Sequence, residues 1–180
     1  MTQPGQTTVP DSASLAPARS AKERFAEVYE REHATTMKVL RAFPPEQAEL
    51  RPSERSSSAR RLAWTFVMEE RMMLMAIRGE PVLGGGYPAP PESWEAILDD
   101  FATQHEQIMA ELRSPSSSEL QGTVRFFTAP KQMGDYRTME FLWYMLHDQI
   151  HHRGQLSVYV RIAGAKLPSI YGPSADEPWT

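Results

Sequence analysis

Between positions 147 and 154 the chain reads HDQIHHRG, which puts three of its five histidines within six residues. On an α-helix, residues four apart stand one above the other on the same face. His147 and His151 therefore present two imidazoles to one point, the geometry by which a single helix offers two ligands to a divalent metal ion. His152 is rotated by roughly 100° from His151 and is placed instead to pair with Asp148, four residues earlier. The competing reading is that these are ordinary polar residues at the end of a core helix, because such a spacing also arises by chance.

A metal site needs further ligands. The chain has no cysteine, so they must come from histidine, carboxylate or water. Helix bundles supply them from facing helices. In FVMEERMMLM, Glu69 and Glu70 interrupt a nearly continuous apolar run, and Leu62, Thr65, Phe66, Glu69, Met72 and Met73 fall on one helical stripe. A carboxylate there is costly to bury unless it is paired, protonated or bound to a cation. Glu69 is thus the candidate third ligand, the alternatives being a buried arginine partner such as Arg153 or a solvent-facing position. His33 and His105 are flanked by charged or small residues, as on a solvated face. Asp135 and Glu140 lie near a helix start, where carboxylates serve capping and the helix dipole. The methionines of ERMMLMA read as core filling.

Four helical segments must position these groups. Phe25, Val28, Tyr29, Met37 and Leu40 mark the first, from Ala21 to the prolines of FPPEQ. Ser56 to Ser58 cap a second, ARRLAWTFVMEERMMLMAIRGE, which GEPVLGGGYPAPP ends. A third begins near PESWEAILDD, and the fourth runs from about Thr138 to Ile162 and carries the histidines. Between them TVRFF reads as a short extended segment and PKQMGD as a turn. The expected fold is all-α, a four-helix bundle over residues 21–180 with an irregular C-terminal end. Residues 1–20, rich in Pro, Ser, Thr and Gln, are expected as a disordered tail.

Composition narrows the function. A net charge of −4 leaves no basic excess for sustained contact with nucleic acid. No apolar run approaches the roughly 18 residues of a membrane span. The first residues have neither a charged nor an apolar leader region, so a cytoplasmic location is expected. No Gly-rich phosphate loop or nucleophile elbow occurs.

LHDQIHHRGQLSVYVRIAGAKLPSIYGPSADEP resembles the C-terminal signature of the DinB family, also described as DinB/YfiT-like metalloenzymes. ATTMKVLRAFPPEQAELRPSERSSSARRLAWTFVMEE resembles that family's first two helices, and the similarity spans about residues 22–178. The resemblance implies a four-helix bundle with one divalent metal, commonly held by one histidine on the second helix and two, spaced four apart, near the start of the fourth. The latter pair maps onto His147 and His151. The former maps onto LAWT, where this chain has Thr65. Thr65 is a poor ligand, and Glu69 lies one turn further along the same face. The resemblance then implies a site of His147, His151 and Glu69 for Zn, Ni, Fe or Mn, a weakened site completed by water, or a lost one.

Two functions are expected from this. The first is a metal-dependent enzyme acting on a small molecule by hydrolysis or by transfer of a low-molecular-weight thiol. There His152 or Asp148 shuttles protons or orients a ligand, and Arg153 binds an anionic substrate or serves as a structural ion-pair partner. The second is a non-catalytic homodimeric bundle, a binding or stress-response protein with a degenerate metal site, whose interface uses Trp64, Trp143 and Tyr144.

Overall fold

The computed structural model describes residues 19–84, 86, 88–114 and 120–180. The tail expected over residues 1–20 therefore lies almost wholly outside the described residues. Four helices form where the apolar periodicity places them: α1 Ala21–Ala42, α2 Ala59–Arg78, α3 Trp94–Arg113 and α4 Thr138–Ile162. Serine side chains open the first three. Ser20 closes a capping box with Glu23, and the hydroxyls of Ser58 and Ser93 accept from the amides of Arg61 and Ala96. Gly79 ends α2 in the left-handed region at φ 72°, a conformation that glycine adopts without strain. α2 packs on both α3 and α4, and α1 packs on the same two helices from the other side.

The bundle is not purely helical. β1 Thr123–Ala129 and β2 Gln132–Arg137 pair antiparallel, with Val124 opposite Tyr136 and Phe126 opposite Gly134. The extended TVRFF segment is the first of these strands. The turn, however, is confined to Pro130 and Lys131, with Lys131 left-handed at φ 62°, so most of PKQMGD is strand. Gly134 leaves room there for Thr128, whose Cγ2 would lie 2.6 Å from an added Cβ and would have to move. The hairpin leans on α4 through Phe126, whose ring meets Phe141 edge-on at 5.2 Å between centroids.

The core is divided in two. Phe43, Phe66, Trp94, Phe101 and Leu156 centre one apolar cluster, and Phe25, Tyr29, Met73, Ile108 and Phe141 centre the other. Met72 and Met73 fill core space, as their pattern suggested. Between the two clusters each helix places polar side chains: His33 on α1, Glu69 and Glu70 on α2, His105 on α3, and Asp148, Gln149, His152 and Arg153 on α4. A polar layer thus crosses the middle of the bundle, where burial is costly unless each group finds a partner. All of the candidate chemistry lies in or beside it.

Candidate metal centre

Glu69 is only 2% exposed, and α4 supplies its partners. His152 Nδ1 lies 2.9 Å from Glu69 Oε1, while Asp148, one turn earlier on α4, brings its carboxylate to the same point. Each of the three offers a ligand atom, and these atoms lie within 4.8 Å of one another. Glu69 Oε2 is buried with no hydrogen-bond partner. It can share a proton with Asp148 only when one of the two carboxyls is protonated.

Electrostatics follow from this crowding. Burial pushes the Glu69 carboxyl up to about 8, against the opposing pull of His152, and the neighbouring Asp148 pushes the same way. His152 is raised, first by its hydrogen bond to Glu69 and against the effect of burial. Around neutral pH the group therefore retains a proton that a divalent cation would displace. One imidazole and two carboxylates form a donor set suited to a divalent transition ion.

The site opens on a groove of about 510 Å³. Trp64, Met68, Met72 and Phe126 make its apolar walls, Glu69 and Asp148 lie at its polar side, and Arg61 reaches its rim. The segment that closes it is tied down where Trp64 Nε1 donates to Pro88 O at 2.8 Å. A second recess of about 490 Å³ reaches His152 from the other side, past Ser57, Gln155 and Tyr159, and Thr65 borders both.

A second cluster occupies the α1, α2 and α3 side of the polar layer. His33, Glu70 and His105 also bring ligand atoms within 4.8 Å of one another. Glu70 Oε1 accepts from Tyr29 OH at 2.7 Å and lies 3.2 Å from His33 Nδ1. Burial drives Glu70 well above the carboxylate range, against the Tyr29 hydrogen bond. Burial also lowers His33 to about 3, with His105 adding to the effect, and lowers His105 against the pull of Glu30. Both imidazoles are thus neutral.

Among the described residues, three-donor groups of this kind number two. The family's sequence profile matches residues 18–179. The chain belongs to the DinB family. YrdA, an uncharacterised protein of Bacillus subtilis (strain 168), is 26% identical over 160 residues, 86% of this chain and 90% of the relative. A DinB-like protein from Bacillus cereus shares the fold with a TM-score of 0.68 at 23% identity, over 82% of this chain and 95% of that one. The DinB-like YjoA of Bacillus subtilis does so with 0.64 at 18% identity, over 82% and 97%.

On this DinB scaffold the residues singled out in the sequence separate. Glu69 sits at the centre of a three-donor group, and its partner is neither Arg153 nor solvent. His152 and Asp148 come together in one three-donor group, but the hydrogen bond of His152 goes to Glu69. His147 and His151 share a face of α4, but it is the exposed one. They belong to neither three-donor group, and His151 Nε2 is 2.9 Å from Gln155 Nε2. Arg153 is 1% exposed and faces α1, where it donates to Glu32 Oε2 at 2.7 Å and to Thr36 Oγ1 at 3.2 Å. It also donates to the Tyr171 hydroxyl, which in turn donates to Glu32 Oε2. That is the structural one of its two expected roles.

His33 and His105 depart from expectation, for they face inward rather than lying on solvated faces. The signal was in the spacing: His33 continues Phe25 and Tyr29 in steps of four, and His105 follows Phe101 by four. Trp64 is buried and Trp143 packs edge-on against Phe25, which leaves Tyr144 as the exposed member of the expected interface trio. No helix among the described residues is long and apolar enough to cross a membrane.

Proposed function

We propose that this DinB-family chain is a metal-dependent enzyme acting on a small molecule, with Glu69, Asp148 and His152 as the metal ligands. One observation carries the reading: three donors converge, one of them a buried carboxylate with a free oxygen, and two of them, Glu69 and Asp148, line an apolar groove. Burial keeps a proton on this group in the metal-free protein, and a divalent cation would take that proton's place and satisfy the open oxygen. Such an ion would act as a Lewis acid that lowers the pKa of a bound water or thiol.

The chain's own side chains define the rest. Trp64, Met68 and Phe126 hold an apolar body and exclude water, and Arg61 at the rim suits an anionic group on the same molecule. The proton held between Glu69 Oε1 and His152 Nδ1 in the metal-free protein would be released as the ion binds. These features fit hydrolysis of a small ester or amide and transfer of a low-molecular-weight thiol.

Metal content measured by elemental analysis on the full chain, purified without chelator, tests the ligand set. Asp148→Asn/His152→Gln is expected to lose the groove ion and, with it, activity in hydrolysis and thiol-transfer screens. Retention of both in the double variant rules the reading out. A non-catalytic dimeric bundle is the second reading. It is favoured by Val158 and Ile162, one turn apart on α4 and 52% and 50% exposed, and it gains ground if the groove takes up no metal.

A further inference from the structure

We infer that His33, Glu70 and His105 form a second site for a divalent transition-metal ion, on the α1 and α3 side of α2 and distinct from the groove site. Four observations converge on it. The three ligand atoms, drawn from three helices, already lie within 4.8 Å of one another. Two polar atoms of the cluster, Glu70 Oε2 and His105 Nδ1, are buried with no hydrogen-bond partner. Buried polar atoms in native proteins are rarely left so, and both are lone-pair donors.

The remaining contacts orient those lone pairs. His105 Nε2 faces Glu30 Oε1 at 3.8 Å, which favours the proton on Nε2 and frees Nδ1 toward the interior. A carboxylate behind a histidine is the usual outer-shell support of a metal-bound imidazole. Tyr29 OH plays the corresponding part for Glu70, occupying Oε1 at 2.7 Å and leaving Oε2 open. Glu30 lines a cleft of about 740 Å³ between α1 and α3, so the carboxylate that supports His105 also meets solvent.

Two imidazoles and one carboxylate favour Zn²⁺, Fe²⁺ or Co²⁺ over Mg²⁺ or Ca²⁺. In this structure the His33 and His105 rings stack at 3.7 Å between centroids, 18° from parallel. Closing on an ion turns them out of that stack.

Co²⁺ is the probe. The full chain, carrying His147→Ala/His151→Ala so that the exposed pair contributes nothing, is stripped, loaded, desalted and assayed for bound cobalt. Two equivalents are expected. Asp148→Asn/His152→Gln should leave one, and adding Glu70→Gln/His105→Phe should leave none, with helix content checked by circular dichroism. If the buried variant unfolds, His105→Phe alone, which keeps a ring against His33, should still weaken Co²⁺ binding at least 100-fold in the groove-deficient background. The inference is overturned if that background holds no cobalt, or if its cobalt is indifferent to Glu70 and His105. Loss of the groove site alone shows differently: one equivalent, unaffected by Asp148→Asn/His152→Gln and removed by Glu70→Gln/His105→Phe.

Discussion

Glu69 and Glu70 are neighbours in sequence and both are buried, yet they face different neighbours of α2. Glu69 Oε1 meets His152 of α4 at 2.9 Å, and Glu70 Oε1 meets Tyr29 and His33 of α1 at 2.7 and 3.2 Å. The roughly 100° rotation between successive helical residues turns one acidic dipeptide into two separate carboxylate sites. Each keeps one oxygen, Oε2, without a partner.

Acidity at Glu69 makes stability depend on pH in the metal-free protein. Its carboxyl is held at about 8 against an ordinary 4.5, so folding favours the protonated form. That contribution is complete below about pH 4.5 and is lost as the pH rises toward 8. His33 and His105, lowered by burial, act in the opposite direction, but only below their ordinary value of 6.5. Urea unfolding between about pH 6.5 and 7.5 should therefore show wild-type stability falling faster than that of Glu69→Gln. The difference in slope approaches about 1.4 kcal/mol per pH unit. Parallel slopes would mean that Glu69 ionises normally. Saturating divalent metal should flatten the wild-type curve, because the ion competes with the proton.

The register of the α4 site is decided by two paired variants. His147→Ala/His151→Ala should leave groove metal and the melting temperature unchanged, since both rings are exposed. Asp148→Asn/His152→Gln should lower groove affinity by about 100-fold or more. Isothermal titration of the full chain distinguishes them, and the reverse pattern would return the ligand role to the exposed pair.

Arg153 should matter to stability and not to metal. It is buried, and Glu32, its partner on α1, is nearly so, with side-chain exposures of 1% and 14%. Removing one member of such a pair leaves the other uncompensated, at a cost of about 3–5 kcal/mol. Arg153→Met is expected to lower stability by that amount and to loosen the segment around Tyr171, which would appear as faster amide exchange there. Arg153→Lys should recover little, because a single ammonium cannot reach Glu32, Thr36 and Tyr171 together. An anion-binding role would instead leave stability near wild type and weaken substrate binding.

Helix positions were legible in the sequence because apolar periodicity marks the elements, and at α2 the serine cap agrees with it. The hairpin was half legible: TVRFF alternates as a strand does, but Gln132 to Arg137 carries Gly, Asp and Gln, which read as turn. The identity of the α4 ligands was the harder question. His147/His151 and Asp148/His152 have the same i,i+4 spacing, and spacing alone cannot say which pair faces inward. The buried stripe of α4 decides it: Phe141, Met145, Gln149, Arg153 and Leu156 point to the core, so Asp148 and His152 flank the inward side while His147 and His151 lie beyond it. The inward stripe carries Gln149 and Arg153, both buried, so hydrophobicity does not mark it. His33 and His105 were hidden for the same reason, as polar residues in core positions.

Thr65 offers the most direct test of how this chain departs from the pattern its family resemblance implies. The family resemblance puts a histidine there, and Thr65 borders both recesses at the Glu69–His152 group, one turn before Glu69 on α2. Its hydroxyl is occupied locally, donating to Arg61 O at 3.2 Å. Thr65→His would place an imidazole beside a site that already has one nitrogen and two oxygen donors. If Glu69 has taken over the missing histidine's task, groove affinity for Zn²⁺ should rise by about tenfold or more. Glu69→Gln, severely weakening in the wild-type chain, should then be largely tolerated in the Thr65→His chain. Competition titration against a chromogenic chelator measures both effects. Unchanged affinity in Thr65→His would show that position 65 does not address the metal, and that Glu69 is an original ligand rather than a replacement.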